Sequence, residues 1–132
     1  MQNTAAFACI RGEKIRGTVR FCPQGQGIWV EAEVCGLSDG FHGFHIHAGD
    51  DCKNAGTHFN PTGAAHPDHA GDLPPLLSCG GKACMAFWTG RLALREVIGK
   101  TVVIHEKRDD FTTQPSGDSG AMIACGVIHN CK

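Results

Sequence analysis

The stretch that decides the fold is Gly17-Thr18-Val19-Arg20-Phe21, then Pro23-Gln24-Gly25-Gln26-Gly27, then Ile28-Trp29-Val30-Glu31-Ala32-Glu33-Val34. The outer segments alternate apolar and polar residues, the period of a half-buried strand, and the Pro/Gly-rich centre has turn chemistry, so the three predict a β-hairpin. Working outward, Phe7–Arg11 reads as an earlier strand and Phe41–His47 as a later one. Cys84–Trp88, Thr101–His105 and Ala121–Ile128 read as further strands, and Leu92–Ile98 as one short helical turn. Two segments lack a sustained pattern and are dense in Gly, Pro, Asp and His or Thr: residues about 48–83 and about 106–120. Short strands joined by turns, with two large loops, predict an antiparallel sandwich or barrel. Loops of that length are functional or disordered, and clustered metal-ligand residue types favour the functional reading.

Whole-chain numbers narrow the function. A chain of 132 residues suits one domain spanning residues 1–132 and can bury somewhat over ~65% of its unfolded surface. Twelve Lys plus Arg against thirteen Asp plus Glu leave a net charge of −1, which gives no support to nucleic-acid binding. No apolar run approaches the roughly 20 residues of a membrane helix. Residues 1–13 lack a basic start followed by an apolar stretch, so a cytoplasmic protein is expected if Met1 is the native start, and an exported one if a leader was removed. Eight cysteines argue the other way, since such enrichment reflects disulfides in an oxidising compartment or metal and redox chemistry in a reducing one. No C-x-x-C spacing occurs.

Of eight histidines, six carry the chemistry. His45 and His47 stand two apart in a predicted strand, on the same face, and two imidazoles there suit copper or zinc. Two solvated strand histidines are the plain alternative for that pair alone. Within fifteen residues of the first loop come His58, His66, His69 and Asp72, three imidazoles and a carboxylate of the kind zinc prefers. His105 ends a predicted strand and can bring another imidazole to the His45/His47 face. His42 falls on the opposite face by parity and reads as a structural hydrogen-bonding residue; His129 reads as solvated.

Gly40-Phe41-His42-Gly43-Phe44-His45-Ile46-His47, Asn54-Ala55-Gly56-Thr57-His58-Phe59-Asn60-Pro61, His69-Ala70-Gly71-Asp72-Leu73-Pro74, Ile104-His105-Glu106-Lys107 and Ala124-Cys125-Gly126-Val127-Ile128 together resemble copper/zinc superoxide dismutase. The motifs follow that family's order over nearly the whole chain. Gly71-Asp72-Leu73-Pro74 and Asp110-Phe111-Thr112-Thr113-Gln114-Pro115 look closer to its bacterial branch. The resemblance implies an all-β, eight-stranded antiparallel Greek-key barrel. It implies copper held by His45, His47, His58 and His105, and zinc held by His58, His66, His69 and Asp72, with His58 bridging both. It makes Asp109 a carboxylate hydrogen-bonded to one ligand histidine of each set, where a solvated loop Asp is the alternative. The implied reaction is disproportionation of superoxide to dioxygen and hydrogen peroxide.

One departure stands out. The family carries an arginine beside copper, three residues before the Cys of Ala-Cys-Gly-Val, and here that position is Met122. Methionine offers no charged fork to an anion, so guidance is weakened or Lys107 or Arg108 substitutes. A copper/zinc-binding protein with little or no catalysis is therefore the alternative function. The resemblance pairs Cys52 with Cys125. Among the additional cysteines, Cys79 with Cys84, Cys9 with Cys131 and Cys22 with Cys35 are candidate pairs, and thiol binding of Cu(I) is another use for them. Monomer and homodimer both stay open.

Overall fold

The computed structural model describes residues 5–131; residues 1–4 and 132, on which the outer bounds of the expected domain fall, lie outside the described residues. The chain forms β1 (Ala6–Gly12), β2 (Ile15–Gln24), β3 (Gly27–Cys35), β4 (Gly40–His42), β5 (Phe44–His47), β6 (Leu76–Ser78), β7 (Lys82–Thr89), the helical turn α1 (Leu94–Val97), β8 (Thr101–His105) and β9 (Met122–Asn130). Alternation builds the hairpin as its sequence predicts. Ile15, Val19 and Phe21 of β2 and Ile28, Val30, Ala32 and Val34 of β3 are buried, while Arg16, Thr18, Arg20, Glu31 and Glu33 face outward. Gln24 pairs with Gly27, so the turn is only Gly25-Gln26, with Gly25 in the left-handed region at φ 61°.

Every ladder is antiparallel, and seven strands form one curled sheet in the order β5-β8-β9-β1-β2-β3-β7. The remaining two, β4 and β6, pair with each other. The expected single strand over Phe41–His47 is broken at Gly43, whose N–H donates to Lys107 O and whose carbonyl accepts from His105 N–H. Leaving the sheet there, β4 pairs with β6, and the Cys79↔Lys82 turn leads β6 into β7. The two edge strands of the large sheet are thus connected through β4 and β6, which protects edges that would otherwise invite pairing with other chains. Counting β4 and β5 as one kinked strand gives the eight of the Greek-key barrel. The barrel interior holds Ile10, Val19, Phe21, Val30, Phe44, Ile46, Leu76, Ile104 and Ile128, all essentially inaccessible to solvent.

Cys52 and Cys125 are joined, with Cα atoms 6.0 Å apart across 73 residues of sequence, tying the first long loop to β9. The other six cysteines are free, which overturns the three additional pairings. Register gives the reason. The tight turn sets Cys79 against Lys82, so Cys84 lies two residues further along β7, opposite Glu33. Cys22 pairs with Trp29 and Cys35 with Arg16, at opposite ends of one ladder. Cys131 donates its N–H to Ala5 O, four residues along from Cys9.

Candidate metal centre

Strand β5 places His45 and His47 on one face, and its ladder with β8 brings in His105 from the far end of that strand. Each ring is pinned by one nitrogen. His45 donates Nε2–H to Asp109 Oδ2 at 2.8 Å, His47 donates Nδ1–H to Gly56 O at 2.8 Å, and His105 donates Nδ1–H to Gly120 O at 3.0 Å. An imidazole that donates from one nitrogen presents a lone pair on the other. Those opposite atoms, His45 Nδ1, His47 Nε2 and His105 Nε2, are buried and have no hydrogen-bond partner among the described residues, and His58 Nε2 shares that condition. A buried polar atom left unpaired costs roughly 1–3 kcal/mol, so four in one place demand an explanation. The four histidines offer ligand atoms that all lie within 4.8 Å of one another, and a cation fits the explanation.

A second set lies on the other side of His58. Its Nδ1 is 2.7 Å from Asp72 Oδ1 and 3.2 Å from His69 Nδ1. His66 Nδ1 and His69 Nδ1 approach Asp72 Oδ2 at 3.0 and 3.1 Å, and the former lacks hydrogen-bond geometry. Donors about 2.0–2.1 Å from a tetrahedral zinc would stand about 3.3 Å apart, close to this spacing. Local backbone bonds assemble this set. A turn closed by Asp72 N–H to His69 O at 3.0 Å brings those two residues together. Ile46 N–H to Gly71 O and Phe59 N–H to Ile46 O then pin the loop onto β5.

Asp109, 3% exposed, joins the two sets: its Oδ1 accepts from His66 Nε2 at 2.7 Å and from Phe111 N–H at 2.8 Å, while Oδ2 holds His45. Burial alone would raise the Asp109 and Asp72 carboxyls. Hydrogen bonds from His66 and His45 at Asp109, and from His58 at Asp72, outweigh it and hold both below the usual range. Burial, reinforced by the neighbouring His58, depresses His45 to about 3 even against Asp109. His47 falls to about 4 and His105 is also lowered, again mainly through burial. Neutral rings with fixed tautomers are the form in which histidine ligates metal.

Two contributors carry no signal of their own in the sequence. Gln114 clamps the His66 backbone, accepting from its N–H at 2.8 Å and donating Nε2–H to its carbonyl at 2.7 Å. Gly117, at φ 77°, passes so close that an added Cβ would stand 2.0 Å from Asp109 Oδ1 and 2.7 Å from His66 Nε2. His42 is buried off the metal sets, as parity predicts, and its ring nitrogens lie 2.8 Å from His105 O and from Ser38 O. A recess of about 440 Å³ exposes one side of the site, lined by His47, His58, His69 and His105 with Gly56, Thr57, Asn60, Pro115 and Ser116. Among the described residues no lysine or arginine lines it. Met122 pairs with His105 across β8 and β9, is 42% exposed, and lines a separate groove with Glu13, Ile15 and Glu106.

Comparison with known proteins accords with this geometry. The family model described as copper/zinc superoxide dismutase matches residues 15–128. "Superoxide dismutase [Cu-Zn] A" of Xenopus laevis is 40% identical over 137 residues, covering 89% of this chain and 91% of that protein. The copper chaperone for superoxide dismutase of Mus musculus is 36% identical over 143 residues, covering 94% of this chain but 52% of that protein. The crystal structure of the clock protein EA4 superposes with a TM-score of 0.90 at 30% identity, covering 99% of this chain and 97% of that one. Members of the matched family bind copper and zinc, and both histidine groups found here could hold metal ions. With a family model spanning most of its length and a relative at 40% identity over nearly all of it, the chain belongs to the copper/zinc superoxide dismutase family.

Proposed function

We propose that the chain is a superoxide dismutase, with copper held by His45, His47, His58 and His105, and zinc held by His58, His66, His69 and Asp72. The observation that carries this reading is the convergence of four buried, unpartnered ring nitrogens beside a three-imidazole, one-carboxylate set, with His58 a member of both. Four imidazoles suit copper, and three with a carboxylate suit zinc. When bound, copper supplies the one-electron steps that convert one superoxide to dioxygen and a second to hydrogen peroxide.

The chain's own residues set the conditions for that chemistry. His58 presents Nδ1 to Asp72 and His69, and leaves Nε2 for the side shared with His47 and His105, where the recess opens. Its Nε2 is thus placed to hold a proton and deliver it to a reduced oxygen species in the recess. Asp109 keeps the proton of His45 on Nε2 and that of His66 on Nε2, so that neither ring turns its lone pair away. The carbonyls of Gly56 and Gly120 do the same for His47 and His105. The recess admits a diatomic anion between walls to which Pro115, Asn60 and Thr57 contribute.

A second reading, metal binding with little or no catalysis, is favoured by Met122 and by the absence, among the described residues, of a cation from the recess lining. The similarity to a copper chaperone supports it as well. Single variants separate the two. His69→Ala should lose zinc while keeping copper and much of the superoxide consumption, and His47→Ala should lose copper and the consumption together. Copper-loaded protein that consumes no superoxide before any substitution would leave only the second reading.

A further inference from the structure

The outer face of β1, β2, β3 and β7 carries a cluster that the metal site does not use. Register aligns Arg11, Arg16, Cys35 and Lys82 in one row across the four strands, all exposed. The next row is Cys9, Thr18, Glu33 and Cys84, exposed as well. Directly opposed side chains on an antiparallel pair have Cβ atoms about 4.5–5.5 Å apart, so Cys35 stands between the cations of Arg16 and Lys82. One Arg16 Nη1–H is given to Ile15 O at 3.1 Å, and the rest of its fork is directed to solvent or a ligand. Cys84 has Glu33 directly opposite and Lys82 two residues before it on the same face, and shares a separate groove with Arg20 and Glu31, so no cation stands directly across from it. A groove of about 410 Å³ runs over Cys9, Arg11, Arg16, Glu33, Cys35 and Lys82, with three cations against one carboxylate on a chain whose net charge is −1.

We infer that this groove is a modification site, at which Cys35 forms a mixed disulfide with the disulfide of a small carboxylate-bearing thiol. The cations recruit the reagent's carboxylates and present its sulfur–sulfur bond to Cys35 Sγ. In the exchange Cys35 gives up its proton and attacks one reagent sulfur. A new sulfur–sulfur bond forms to Cys35, the reagent's own breaks, and the released thiolate takes up a proton from solvent. Cys35 is oxidised, and the departing half of the reagent is reduced. Cys84 cannot complete an internal bridge in its place, because a diagonal neighbour lies about 7–8 Å away, beyond the roughly 3.5–4.5 Å between Cβ atoms that a disulfide needs.

The test uses the full, metal-loaded chain with its Cys52–Cys125 bond intact. Oxidised glutathione is compared with uncharged hydroxyethyl disulfide, and adducts are located by peptide mass spectrometry. With glutathione disulfide, Cys35 should label about tenfold faster than Cys84 at low salt, and the preference should collapse at high salt. The neutral reagent should show a smaller preference. Arg16→Gln with Lys82→Gln should slow the glutathione reaction at Cys35 by a larger factor than the neutral reaction. Equal labelling of Cys35 and Cys84 by the anionic reagent, or a Cys35 preference that survives the double substitution, would overturn the inference. Disulfide-linked dimers forming in place of the adduct would overturn it as well.

Discussion

Replacing Asp109 with asparagine probes the join between the two donor sets. The wild-type carboxylate accepts three hydrogen bonds, from His45 Nε2, His66 Nε2 and Phe111 N–H, all between 2.7 and 2.8 Å. Asparagine has one acceptor oxygen and one amide that only donates, so it faces one of the two rings with hydrogens. That ring must then either face hydrogen with hydrogen or move its own proton to the nitrogen that offers the lone pair. Partners of this kind are worth roughly 10–100-fold in metal affinity when mutated, or about 1.4–2.8 kcal/mol. The assay is chelator competition for each metal on wild type and Asp109→Asn, followed by superoxide consumption at matched occupancy. Affinity for at least one metal should fall within that range. Both affinities and the activity unchanged would refute the argument that Asp109 fixes the ring tautomers.

Four further outcomes follow from the same geometry. Gly117→Ala should resemble Asp109→Asn in metal retention, since its Cβ would stand 2.0 Å from Asp109 Oδ1; wild-type retention in chelator competition would contradict this. Cys52→Ala removes a bond across 73 residues and should cost about 4 kcal/mol, a fall in Tm of roughly 10–20 °C by calorimetry, and a change of under ~3 °C would be inconsistent. Metal-free protein should lose stability as pH falls from the ordinary histidine value near 6.5 toward 4. Over that interval the unfolded chain binds protons that His45, depressed to about 3, and His47, depressed to about 4, do not take up when folded. Denaturant midpoints equal at about pH 7 and about pH 4.5 would contradict that sign. Superoxide consumption by the unmodified protein should vary little between roughly 0.01 and 0.5 M salt, because among the described residues no cation lines the recess, and a rate that falls steeply with salt would contradict this.

Much of the site was legible because ligation uses side chains, and their spacing is written in the chain. The parity of His45 and His47 and the density of His58, His66, His69 and Asp72 pointed to two donor groups before any fold was known. What escaped depends on backbone and register. The work of Gln114 and Gly117 consists of main-chain contact and close approach, which their residue types do not announce. In the fold, the β2–β3 hairpin was plain from its alternation. Strand β6 was not, being three residues long with an exposed Leu77 at its centre, and the break at Gly43 arises from bonds to Lys107 and His105 far along the chain. The additional cysteine pairings failed for a related reason: sequence proximity suggested Cys79 with Cys84, and the turn at Gly80-Gly81 set Lys82 there instead. Met122 was identified by its place before Ala-Cys-Gly-Val, but its groove with Glu13 and Glu106 came only with the structure.

The most direct test of the account is the rate of superoxide decay as copper is titrated into zinc-loaded protein, with both metals quantified on the same sample. A rate rising in proportion to bound copper and levelling at one copper per chain is the predicted result. Full copper occupancy with decay no faster than the buffer control would contradict the dismutase reading.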